Sequence, residues 1–145
     1  MLIKYIWAYA SFILATVTCV AATLWGGRYE RIVAATFWIS WALTFLVQSR
    51  GSLGPGDQVI LIDSVVLIIF IWVSLKSRQP WVLLATASQV DDVASHLAAR
   101  LLHFGLGSYI IATGIWGGYF ITVCLAAGTI GYRVRLKRER NRAAA

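Results

Sequence analysis

Near the middle of the chain, side chains able to move or hold charge recur at helical spacing. Ser88 or Gln89, Asp92, His96, Arg100 and His103 follow one another at steps of three or four, which places them on one face of a helix. If that helix crosses a bilayer, Asp92 lies near the midplane, where an ionised side chain costs roughly 2.5–3.5 kcal/mol on insertion scales. The face must then turn toward protein partners or water. Its chemistry would be a proton or ion path, gated by an imidazole whose ordinary pKa is about 6.5, or a polar ligand pocket. The plainer alternative is a network that only locks helices together. Asp63 is the second intramembrane charge. Its depth, about four positions or roughly 6 Å inside its span, matches the depth expected for Arg100, so the two are expected to pair. Thr44 and Gln48 reach a similar level and extend a four-spaced line through Thr36 and Ser40, although hydroxyls on such lines often bond back to their own helix. The candidate polar cluster is therefore Asp63, Asp92, His96, Arg100, His103, Thr44 and Gln48.

The inventory argues against a bound cofactor. His96 and His103 are seven residues apart, about 10.5 Å along one helix, too far to supply both axial ligands of one haem. Asp92 and His96 could share a metal, but a closed site wants about four ligands, and Arg100 at the next step of the stripe would set a cation beside it. We expect no metal and no cofactor. Neither a glycine-rich phosphate loop after a strand nor a nucleophile, histidine and acid set is legible, and Gly51-Ser52-Leu53-Gly54-Pro55-Gly56 is too proline-broken for a dinucleotide fingerprint. The expected catalytic residues are none, and the chain is read as a non-enzyme.

The elements that would position these residues follow from composition. Of 145 residues 59% are hydrophobic and 13% charged, against about 45–50% apolar in soluble domains. The net charge is +7, but Arg133, Arg135, Lys137, Arg138, Arg140 and Arg142, offset by Glu139, concentrate most of it in residues 133–145. A nucleic-acid-binding face spread over a folded domain is excluded by that distribution; a basic tail beside a membrane, in contact with anionic headgroups, is indicated. Apolar runs long enough to cross about 30 Å of hydrocarbon occupy residues 5–25, 32–48, 59–75 and 106–132, and residues 81–104 form a fifth, charged run.

Loop charge favours five spans. With the N-terminus outside and the tail inside, ten basic residues fall on the cytoplasmic side and three outside, as the positive-inside rule requires. Four spans with residues 81–104 as an amphipathic surface helix divide the same residues eight to five. The expected fold is an all-α membrane protein: a bundle of five transmembrane helices over 1–132 followed by a basic cytoplasmic tail, 133–145, with four spans plus a surface helix as the alternative. Breakers separate the runs at Gly26-Gly27, at 49–58, at 77–80 and at 105–107, and Pro80 suits a first helical turn. Trp7, Trp25, Trp72 and Trp81 fall near span ends, where indole rings favour the headgroup zone. The uncharged run at 5–25 is long for a cleaved signal peptide, and Cys19 lacks the small preceding residue of a lipidated cysteine. Cys19 and Cys124 read as free buried thiols.

In the final span Gly114, Gly118, Thr122 and Ala126 recur at steps of four, a low-bulk face for close helix packing. Ala8, Ser11, Ala15, Thr18 or Cys19, and Ala22 form a similar line in the first. These faces could serve the bundle, other membrane subunits or a second copy of the chain.

Arg28-Tyr29-Glu30-Arg31, the Asp57 to Asp63 segment, Ser77-Arg78 to Trp81, Ser95-His96-Leu97-Ala98 and Leu125-Ala126-Ala127-Gly128-Thr129 occur in an order that resembles small multi-span inner-membrane proteins of proteobacteria, a family without assigned activity. The resemblance implies a bacterial inner-membrane setting and no catalytic residues. The leading expectation for function is a non-enzymatic accessory or assembly subunit of a membrane complex. The alternatives are a small oligomeric channel or proton-coupled carrier using the intramembrane cluster, and a redox-complex subunit with a quinone pocket near His96.

Overall fold

A computed structural model describes residues 2–48, 56–102 and 106–144. The described residues are almost entirely helical: α1 (Leu2–Trp25), α2 (Arg28–Gln48), α3 (Asp57–Ser77), α4 (Pro80–Leu102), α5 (Leu106–Thr113) and α6 (Ile121–Ala143), with a π-helical segment (Gly114–Phe120) joining the last two. Each of α1 to α4 has 21 to 24 residues, roughly 31–36 Å at 1.5 Å per residue. By length and composition three helices are apolar enough to cross a membrane, Arg28–Val47, Asp57–Ser77 and Gly107–Ala143, and Ala10–Trp25 is a shorter apolar helix.

Local chemistry accounts for most of the boundaries. Only Gly26 and Gly27 separate α1 from α2, and Glu30 in the first turn of α2 complements the positive helix N-terminus. α3 ends where Arg78 adopts a left-handed conformation (φ 51°) and its N–H reaches Ser74 O at 3.0 Å, a cap usually supplied by glycine. Pro80 then occupies the first turn of α4, as its missing donor and fixed φ dictate. α6 does not stop at the basic tail. The helix continues from Tyr132 through Ala143 with Arg133, Arg135, Lys137, Arg138, Arg140 and Arg142 all exposed, because that stretch holds no breaker and is rich in good helix formers.

Packing closes a ring. α1 lies against α2, α2 against α3, α3 against α4 and α4 against the α5–π–α6 helix, which returns to α1 and also touches α2. The core is built from Ala15, Cys19 and Ala22 of α1, Val33, Ala34 and Phe37 of α2, Val66, Phe70 and Val73 of α3, Val82 and Ala85 of α4, and Ile121, Cys124 and Leu125 of α6. Cys19 and Cys124 are free and buried. The outward faces are apolar as well: Ile13, Phe45, Leu61, Ile68, Leu75, Leu101 and Val123 are among many large side chains left exposed.

The low-bulk face of the last helix is placed differently from the four-residue reading. Gly118 and Thr122 are buried, Gly114 and Ala126 only half-buried. The π-helical turn shifts the register, so the closest approaches occur at Gly117, Gly118 and Gly128. Trp41 packs at Gly118, and the Trp81 indole lies directly over Gly128. Trp81 is thereby half-buried at a helix contact, with its Nε1–H donated to Gln79, whereas Trp25 and Trp72 remain exposed.

Candidate functional site

The polar stripe of α4 turns into the bundle. Ser88, Gln89, Asp92 and His96 are buried on it together with Val82, Ala85 and Ala99. Three neighbouring elements complete the site. From α3, Asp63 Oδ2 accepts a 2.9 Å hydrogen bond from His96 Nε2. From α5, the Tyr109 hydroxyl meets His96 Nδ1 at 2.8 Å. A neutral ring that donates from Nε2 accepts at Nδ1, so the two contacts fix one tautomer between them. Asp92 Oδ2 stands 3.8 Å from the same Nε2, and Gly117 of the π-helical segment faces its carboxylate so closely that a Cβ there would fall 2.5 Å from Oδ2.

Further bonds hold α4 in register against the π-helical segment and α3. Ser88 Oγ donates to Trp116 O at 2.7 Å, using a carbonyl of the π-helical turn, where the ordinary i+4 ladder is interrupted. Gln89 Nε2 donates to the backbone carbonyl of Asp63 at 3.4 Å, and Thr86 Oγ1 bridges its own helix and α3 through Val82 O and Phe70 O. The cluster therefore has three orienting contacts beneath it.

The pairing expected between Asp63 and Arg100 does not form. Arg100 pairs with Asp57, and both side chains are largely exposed, 55% and 77%. The reason is depth. Asp63 lies six residues inside the start of α3, and on the antiparallel neighbour the residue six inside the end of α4 is His96, while Arg100 is two from that end. Its long side chain reaches the helix terminus, the ordinary behaviour of arginine near an apolar boundary. The inward face continues to Ala99 instead of Arg100. Thr44 is half-buried on α2 and bonds to no member of the cluster, Ser40 turns back on Phe37 O at 2.8 Å, and His103 and the Gln48 side chain lie outside the described residues.

Two carboxylates thus share one imidazole in a buried site. Asp92 Oδ1 is buried and has no hydrogen-bond partner, an exposed need for a proton or cation in a place where unpaired charge is expensive. Ligand atoms of Asp63, Asp92 and His96 lie within 4.8 Å of one another, so these three could also hold a cation. The argument that a neighbouring guanidinium would repel one is removed by Arg100's pairing with Asp57.

Tyr109 was not legible as a site residue, and Gly117 was not read as one. Tyr109 sits in an otherwise apolar run on another helix, and no spacing links it to His96. The Gly117-Gly118 pair was a usable signal, since adjacent glycines inside a helical run mark a weakened ladder and a close approach. Comparison with protein-family models, curated proteins and solved structures found no match.

Proposed function

We propose that this is a small multi-pass protein of the bacterial inner membrane, with five spans, its N-terminus outside and its basic tail in the cytoplasm, and that it carries protons through the Asp63–His96–Asp92 cluster as a non-enzymatic channel or proton-coupled carrier. The observation that carries the reading is the Asp92 carboxylate: buried, with one oxygen unpartnered, beside an imidazole already committed to Asp63. A packing lock is most stable when every donor and acceptor is matched; this cluster has a surplus acceptor and one ring that can exchange a proton with either carboxylate. The five-span reading is supported by α4 itself, which turns Asp92 and His96 inward and leaves Leu83, Leu84, Val90, Leu97 and Leu101 exposed. An amphipathic helix lying on a membrane surface would do the reverse, with its charged face in water.

The second reading is the accessory subunit, in which the cluster only locks α3, α4 and α5 together. It is favoured by the engagement of both His96 ring nitrogens within the chain. Purified protein in liposomes carrying a pH-sensitive dye separates the two. The expected result is proton flux under an imposed gradient, reduced to the level of empty liposomes by Asp92→Asn or His96→Gln while both variants stay folded. Wild-type flux no greater than that of empty liposomes overturns the proposal, and unfolding of both variants in the same experiment identifies a lock.

A further inference from the structure

A second polar site lies at the end of the bundle from which the tail emerges. The α1–α2 junction, the α3–α4 junction and the first tail turns of α6 enclose an open cavity of about 310 Å³, lined by Arg28, Tyr29, Glu30, Tyr132, Arg135 and Glu139 among others, a volume at the low end of small-molecule pockets. Glu30 is only 1% exposed, and its Oε1 has no hydrogen-bond partner. Gly27 lies tight against two of the lining side chains: a Cβ there would stand 3.0 Å from Glu30 Oε2 and 2.7 Å from the Tyr132 ring.

The charges of this cavity select a ligand. Two guanidiniums suit a phosphate, which they can bind through paired N–H groups, but a simple anion would also face Glu30 and Glu139. A simple amine would satisfy Glu30 and meet two arginines. A molecule carrying a phosphate and an ammonium together matches both signs. The site stands where the apolar run of α6 gives way to Arg133, and Trp25, Leu75 and Ile130 expose apolar surface near the same helix ends, a course along which acyl chains could run. The unpartnered Oε1 asks for an N–H donor, which a primary ammonium has and a quaternary one lacks.

We propose that this cavity binds the headgroup of one phospholipid of the ethanolamine type, its ammonium on Glu30 and its phosphate between Arg28 and Arg135. The inference rests on the membrane reading and is independent of proton transport, so flux without lipid selectivity, or selectivity without flux, tells the two apart. Delipidated protein in detergent is given phosphatidylethanolamine, phosphatidylcholine or phosphatidylglycerol with identical acyl chains, and retained lipid is counted by native mass spectrometry beside thermal unfolding. One phosphatidylethanolamine should remain bound under conditions that strip the other two, and should raise the unfolding temperature. Arg135→Gln, at an exposed position, and Glu30→Gln should each weaken retention about tenfold, the loss of roughly 1.4 kcal/mol of binding; should Glu30→Gln fail to fold, Arg135→Gln alone decides. Equal retention of the three lipids, preference for the choline or glycerol headgroup, unchanged retention in Arg135→Gln, or equal stabilisation by inorganic phosphate overturns the proposal.

Discussion

One imidazole organises the interior of this protein. His96 joins α4 to α3 through Asp63 and to α5 through Tyr109, so its neighbours differ sharply in what their removal should do. Asp63→Ala deletes a buried acceptor of the ring and should lower stability by about 1–3 kcal/mol, the range for leaving a buried donor unsatisfied. Tyr109→Phe removes one hydroxyl and should fall near 1 kcal/mol, typical of a single hydrogen bond. Arg100→Gln breaks only the exposed pair with Asp57 and should stay within about 0–1 kcal/mol, the usual worth of a surface ion pair. Thermal unfolding in one detergent ranks the three. An Arg100 variant as damaging as the Asp63 variant would contradict the pairing described above.

The π-helical segment is the element that makes room for the second carboxylate. By displacing the register of the last helix it turns Gly117 toward Asp92 and Gly128 beneath Trp81, contacts that a straight helix with glycines at every fourth position would distribute differently. Gly117→Ala should force the Asp92 carboxylate aside and lower stability by about 1–3 kcal/mol, the ordinary penalty of overpacking. Gly131 provides the internal control. It lies on the same helical rod with nothing near the position of a Cβ, and Gly131→Ala should stabilise by about 0.5–1 kcal/mol through reduced freedom of the unfolded backbone. A Gly117 variant as stable as the Gly131 variant would mean that the carboxylate does not rest on that glycine.

At the scale of the molecule, one polar cluster is enclosed in an otherwise apolar core while large apolar side chains also cover the outside, unlike the surface of a water-soluble bundle. Ser88, Gln89, Asp92 and His96 are buried while Leu61, Ile68, Leu75 and Leu101 are exposed. Exposed apolar surface on so many helices fits contact with lipid. With both native cysteines replaced, a single cysteine at Ser52 should react with an impermeant thiol reagent added to intact cells, and one at Ala144 should react only after the membrane is opened. The reverse pattern, or labelling of a cysteine at Ser77 from outside, would overturn the proposed direction of the spans.

What the sequence determined by itself was the set of helices and the inward face of α4. Apolar runs, glycine breaks and Pro80 are local signals, and a period of three to four residues is visible in one dimension; α2, α3 and α4 accordingly begin and end within a few residues of the runs read from composition. The partners across that face were not local. Two residues of difference in where α3 begins and α4 ends were enough to exchange Arg100 for His96 opposite Asp63, because antiparallel helices multiply an error in end position when depths are compared. Tyr109 and Gly117 joined the site through the packing of α5 and the π-helical segment against α4, a contact between distant parts of the chain that no spacing encodes. Tertiary structure also set Arg135 and Glu139 across one cavity from Arg28 and Glu30, since only the closed ring of helices brings the α1–α2 junction and the start of the tail to the same end.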